Sequence, residues 1–335
     1  MVPRLFLLVK IVTPNVFIKM ATFSNPESRR TFLGQLATAT AVVATTDVWA
    51  APPPPAPFTV QVFTKHLDGF GYDDISAMAA EAGFDGLDLT VRPAGHVLPE
   101  RVADDLPRAV AAAKKAGLAI PLIVTALTDA DSPHAEAIIR TAAAQGVSAY
   151  RTGWVNYRTN ETMDANRERV RGLLAGLAKL NQTYQIHGAY QNHNGQRFGA
   201  PVWDLADVLQ GQDSRYLGCQ YDLYHGTIEG ANSWQLGFRR IHPFVRTIDV
   251  KDFRWAGSGR VPKIETVPLG EGQADFPALF RLLKQLNVQP QLSLHFEYSL
   301  PTASDGAEGR KTLITSMKRD LTVLRGWLRD AGLRE

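Results

Sequence analysis

Residues 142–153, AAAQGVSAYRTG, contain the junction on which the reading of the fold turns. Three alanines and a glutamine continue a helix, Gly146 stops it, and Val147 opens an apolar run that ends at Gly153. A glycine just past a helix end accepts the left-handed backbone that other residues resist. The same succession of helix, glycine and strand occurs at AAEAG (79–83) before GLDLTV (86–91), and at KKAG (114–117) before AIPLIVTAL (119–127). Short apolar runs that alternate with helical patterns mark a parallel sheet wrapped by helices.

Working outward from these junctions, eight strand and helix pairs can be traced. The other strand segments are FTVQVF (58–63), VSAYRTG (147–153), IHGAYQNH (186–193), LGCQYD (217–222), VRTIDVKD (245–252) and QLSLHFE (291–297). Between strands, RGLLAGLAKL (171–180) and PALFRLLKQL (277–286) repeat leucine at three and four residue spacing, the period of a helix with one apolar face. Eight pairs within residues 58–335 predict an α/β fold, a single closed (β/α)8 barrel. A doubly wound open sheet is the alternative; the first unit lacks the G-x-G-x-x-G turn that would favour it.

The chain of 335 residues is 45% hydrophobic and 21% charged, ordinary for a globular protein with a sizeable core. A net charge of +3 without a basic stripe argues against a nucleic-acid partner. Cys219 is the only cysteine, which excludes an intrachain disulfide and any paired-cysteine metal or redox motif.

Residues 1–51 read as a signal segment rather than as fold. Ser28-Arg29-Arg30-Thr31-Phe32-Leu33 precedes a weakly apolar run, then Val48-Trp49-Ala50-Ala51, and the proline-rich linker 52–57 follows. The Arg-Arg spelling resembles a twin-arginine export signal, with cleavage near Ala50 or Ala51 and Met20 as a candidate start. It implies a periplasmic or otherwise extracytoplasmic protein with no stable membrane association after processing. Such export carries folded proteins, which suits one that acquires a metal beforehand.

Chemistry in a barrel gathers where strands end and the following loops begin, and alternate residues face the lumen. In TIDVKD the apolar Ile248 and Val250 suit the helix side, leaving Thr247, Asp249 and Lys251 inward. The same parity turns Gln220 and Asp222 inward with His225 just beyond, Ser293, His295 and Glu297 on the last strand, and Gln191 and His193 on the fifth. Gln191, Asp222, Asp249 and Glu297 are thereby placed at matching heights on one rim. Carboxylates crowded in a dry lumen require a cation. A divalent ion is the simplest one, Mn²⁺ or Mg²⁺ for oxygen ligands, with Zn²⁺ or Co²⁺ open because imidazoles are near. A metal-free plug with Lys251 as the neutralising charge is the competing reading. Asp204 and Asp252 read as helix caps or loop anchors, and His187 and His242 as structural.

With these residues in place, the chain resembles the xylose isomerase-like TIM barrels, a group of sugar phosphate isomerases and epimerases that also includes endonuclease IV. The resemblance covers roughly residues 58–330 and rests on FDGLDL, the D-x-x-H of Asp222 and His225, VKD, VPLGEGQADF (267–276) and the terminal strand ending in Glu297. It implies one divalent cation held by Glu, Asp, His and Glu from strands five to eight, and two glutamates that exchange a proton at a sugar carbon. The D-x-x-H histidine would touch substrate. This chain departs from that pattern at Gln191, in place of Glu, and at Asp249, in place of His. An amide is no general base, so a two-base epimerisation through Gln191 and Glu297 is not available.

The reading therefore assigns Glu297 to proton transfer, His225 or His193 as its partner, and Lys251 to steady negative charge. Arg151, Trp154, His295 and Trp255 are candidate contacts for a small carbohydrate, and Trp234 a further aromatic near the rim. A metal-dependent isomerase or epimerase is the expected activity. A lyase or hydrolase acting on oxidised 3-keto glycosides by β-elimination, and a non-catalytic carbohydrate-binding barrel, are the alternatives.

Overall fold

A computed structural model of the protein describes residues 56–257 and 263–334. The expected signal segment 1–51, with Met20 and the cleavage site, lies outside the described residues. Among described residues no helix is long and apolar enough to cross a membrane.

All eight expected strand segments form strands, and they close into one barrel. They are β1 (Val60–Phe63), β2 (Gly86–Thr90), β3 (Ala119–Val124), β4 (Ala149–Arg151), β5 (His187–Gln191), β6 (Leu217–Asp222), β7 (Val245–Val250) and, last, Gln291–Leu294. Between β7 and that last strand the chain adds a hairpin, β8 (Asp252–Ala256) and β9 (Lys263–Val267), so the closing strand is β10. Every barrel pairing is parallel, and β10 closes the ring between β7 and β1. The antiparallel hairpin was not legible in VRTIDVKD, because a short extension of β7 and a second strand read alike.

Gly146 adopts φ +82° after the helix Ala135–Ala144, as the opening junction requires. The two faces of each strand then separate by chemistry. Val60, Val62, Leu87, Leu89, Ile248, Val250, Leu292 and Leu294 are buried on the side of the helices. Each such side chain contributes roughly 1.5–3 kcal/mol by leaving water. The helix Phe276–Leu286 supplies Leu279, Phe280, Leu282 and Leu283 to the same core. The opposite parity is polar: Asp88, Gln191, Gln220, Thr247, Asp249 and Ser293 are all buried. Buried polar groups must find partners, and these do so across strands. Ser293 Oγ donates to Asp88 Oδ2 at 2.6 Å, and Thr247 Oγ1 to Gln220 Oε1 at 3.1 Å.

VPLGEGQADF is shaped by Asp252. One of its carboxylate oxygens accepts from the backbone N–H groups of Gly270 and Gly272, the other from Phe253 and Ala274. Asp252 is thus the loop anchor its position suggested, and it occupies the donors that an anion would otherwise find in this glycine-rich turn. Asp204 is likewise an anchor, taking Tyr157 Oη at 2.6 Å and Arg167 Nη1 at 2.9 Å.

Candidate active site

The loops and strand ends on one rim enclose a cleft of about 260 Å³. Arg151, Trp154, Gln191, His193, Lys251, His295 and Glu297, all candidates from the sequence, line it. Asp222, Asp249 and His225 sit within contact of these residues. Trp255 does not join them: it is 42% exposed on the hairpin, packed edge-on against Phe253. Trp234 is buried and lies outside the cleft.

Lys251 is the hub. Its Nζ lies 3.1 Å from Asp222 Oδ2, 3.4 Å from Glu297 Oε1 and 3.0 Å from His225 Nε2. An ammonium only donates, so His225 Nε2 accepts and its proton sits on Nδ1, a buried atom without a partner. Burial alone would lower the lysine pKa, but Asp222, Glu297 and Asp249 outweigh it and hold the group above its ordinary value. Burial, with Lys251 adding to it, pushes His225 well below 6.5 and keeps the ring neutral.

A second tier lies beneath. Gln191 Nε2 donates to Asp222 Oδ2 at 2.9 Å and also to Asp249 Oδ2, while its Oε1 accepts from Arg151 Nη1 at 2.9 Å. Gln220 Nε2 donates to Asp249 Oδ1 at 2.7 Å, and His295 Nε2 lies 3.2 Å from the same oxygen. Burial lowers the His295 pKa, yet Asp249 raises it by more, to about 9, so the ring is an imidazolium at neutral pH. It stacks on Phe63 with centroids 4.3 Å apart. Burial raises Asp222 to about 6 against the pull of Lys251. Burial also raises Glu297, but the His295 and Lys251 charges prevail and hold it ionised, far below the usual carboxylate range.

The strand register corrects the expectation of one common height. Asp222 and Asp249 are register partners, but Gln191 lies beside Gln220, and Ser293, not Glu297, lies beside Asp249. Glu297 therefore belongs to the upper, open tier with Lys251.

The donor set does not fit the divalent cation expected there. Gln191 presents its amide nitrogen, not its oxygen, to the two aspartates, and its oxygen is taken by Arg151. The ammonium of Lys251 stands between Asp222 and Glu297, where an ion would have to displace it. Among the described residues no three His, Cys, Asp or Glu side chains are grouped to hold a metal. The carboxylates of Asp222, Asp249 and Glu297 face two cations of the chain itself, Lys251 and protonated His295. Their crowding is relieved by these side chains.

Residues 76–319 match the family model described as the Xylose isomerase-like TIM barrel. The chain belongs to that family. Several solved barrels share its fold. A D-psicose 3-epimerase from Clostridium cellulolyticum H10 superposes with TM-score 0.60 at 13% identity, over 81% of this chain and 99% of that one. A 3-keto-D-glucoside 4-epimerase from E. coli gives 0.58 at 16% identity, over 77% and 98%. A xylose isomerase-like barrel protein from Mycobacterium smegmatis, in complex with magnesium, gives 0.54 at 16% identity, over 79% and 98%. No curated protein matches the chain. These identities establish the shared xylose isomerase-like fold; the donor geometry above is this chain's own.

The sequence reading did not single out Arg92, Arg197, Lys65 and Phe63, which also line the cleft. All but Phe63 lie beyond strand ends, where no period marks a direction. Phe63 looked like another core position. Arg197 Nη1 lies 3.0 Å and the Asn194 carbonyl oxygen 3.1 Å from His193 Nδ1. His193 stacks on His225 at 3.7 Å, and burial lowers its pKa to about 4.

Proposed function

We propose that the protein is a sugar-directed enzyme of the isomerase class, moving a proton on the carbon beside a carbonyl, with Lys251 in the role foreseen for a metal. The observation that carries this reading is the position of Lys251 Nζ, 3.4 Å from the Glu297 carboxylate that lines the cleft. Glu297 Oε takes the proton from carbon, the C–H electron pair becomes the C=C bond, and the carbonyl oxygen becomes an enediolate. Lys251 donates a hydrogen bond to that oxygen where its charge develops, the interaction that accelerates such steps most. The hydroxyl proton on the adjacent oxygen of the enediolate passes to the former carbonyl oxygen, and return of the proton from Glu297 to the former carbonyl carbon on the same face, with the second oxygen becoming the new carbonyl, completes an aldose–ketose shift.

Glu297 is a weak base because its partners hold it ionised, so the cations must do most of the work by acidifying the C–H bond. Lys251, kept charged, acts as an electrophile and not as an amine nucleophile. Gln191 positions Arg151 against the aspartates and takes no proton.

Solvent deuterium exchange tests the reading. In D2O, a panel of aldoses, ketoses and 3-keto glycosides should show label at the carbon beside the carbonyl, and Glu297→Gln should remove it. Sugar binding without exchange on any member would instead support a carbohydrate-binding barrel. We further propose that residues 1–51 direct export; a mature N-terminus near Ala50 in the periplasmic fraction would support this, and an intact cytoplasmic chain would contradict it.

A further inference from the structure

Besides Lys251 and protonated His295, four cations line the cleft: Lys65, Arg92, Arg151 and Arg197. Among the described lining residues Glu297 is the only acidic side chain. Arginines elsewhere in the protein are commonly paired with acids, as Arg101 is with Asp105 and Arg254 with Glu265. Among the described residues none of these four takes part in an ion pair. Arg151 is only 4% exposed, and its Nε is buried without a hydrogen-bond partner. The guanidinium carbons of Arg151 and Arg197 both lie over the Trp154 ring, 4.3 and 4.7 Å from its centroid. The Arg92 guanidinium stands over Phe63 at 5.9 Å and makes no hydrogen bond among the described residues.

Like charges gathered at a partly dry cleft repel, and the repulsion is lifted when an anion enters. A planar guanidinium fork binds carboxylate or phosphate bidentately. Phosphate sites commonly use backbone N–H groups at a glycine-rich turn or helix N-terminus. Here the N–H groups of Gly270, Gly272 and Ala274 are already taken by Asp252. A dianion would also meet Glu297 at close range.

Resting on the proton-transfer reading for its location, we propose that the substrate is a sugar acid whose carboxylate is bound by Arg92, Arg151 and Arg197 beside Trp154. The carboxylate fills the guanidinium donors, including the unused Nε of Arg151. The carbonyl end of the molecule then reaches Lys251 and Glu297.

Calorimetric titration of the intact protein tests this with D-glucuronate, D-galacturonate and D-gluconate against D-glucose, D-galactose and D-glucose 6-phosphate. At least one acid should bind ten-fold or more tightly than its neutral counterpart, and the advantage should shrink as salt is raised. Arg92→Gln and Arg197→Gln should each weaken the acid by about ten-fold while leaving neutral sugars unchanged. Unaltered thermal midpoints would show that both variants are folded. Equal or better binding of neutral sugars, a preference for the phosphate, or equal losses for acid and neutral sugar would overturn the proposal. Acid binding without deuterium exchange would sustain it and overturn the proton-transfer reading, so the two can fail separately.

Discussion

Lys251 Nζ and Asp222 Oδ2 are 3.1 Å apart, with exposures of 3% and 0% for the two side chains. A charge pair this buried is stable only when each partner has further company, because desolvation of two ions costs several kcal/mol each. Lys251 has Glu297 and His225, and Asp222 has Gln191 and the backbone N–H of His225. The pair is therefore the centre of a network and cannot be removed from one side without exposing the other.

Lys251→Met should lower kcat by roughly 10²–10³-fold, the loss typical when a donor to a developing oxyanion is removed. It should also destabilise the protein by about 3 kcal/mol or more, since Asp222 is left buried and unpaired. Steady-state kinetics and urea denaturation check the two effects. Full activity in a folded Lys251→Met protein would remove Lys251 from the chemistry.

Glu297→Gln keeps the shape of the side chain but cannot take a proton. Its kcat should fall on the order of 10²–10⁴-fold. Gln191→Glu should retain some turnover but lose about 3 kcal/mol of stability, because a new carboxyl would face Asp222 and Asp249 where an amide donates now. Comparable kcat values for the two variants would overturn the assignment of Glu297.

His187 gives the protein an acid-sensitive point away from the cleft. It is 3% exposed, and burial lowers its pKa from 6.5 to about 4. Above the unfolded value neither state binds the proton. As pH falls from 6.5 towards 4, the unfolded chain is protonated first, so stability declines across that window. At about pH 5 His187→Gln should have lost about 1–2 kcal/mol less than the wild type, relative to about pH 7. Denaturant midpoints at the two pH values measure it; parallel pH profiles would contradict it.

Gly272→Ala should cost about 1–3 kcal/mol, because an added Cβ would collide with the Asp252 carboxylate and the Phe253 carbonyl. Asp252 then loses loop donors as well. A thermal midpoint unchanged from wild type would show that the loop can yield without loss.

Most of the barrel was legible because its signals are periodic. Gly146 ends a helix for a local reason, and Ile248 and Val250 betray which face of β7 is apolar. The inward direction of Asp222, Asp249, Lys251 and His295 followed from that parity alone. The state of Gln191 did not, since it is decided by Arg151, which is 40 positions away and claims its oxygen. The sequence counted carboxylates correctly but could not say which cation they would face. Arg92 and Arg197 were missed because loop residues carry no phase, and Trp255 was drawn to the rim by proximity in sequence while the hairpin holds it outside.

Divalent-metal binding by the intact protein tests the central claim most directly. After chelation, titration with Mn²⁺ should show no stoichiometric site in the wild type, and turnover should survive EDTA. Lys251→Ala should gain Mn²⁺ affinity as Asp222 and Glu297 are released. One tightly bound equivalent in the wild type, lost in Asp222→Asn and in Glu297→Gln, would contradict the account.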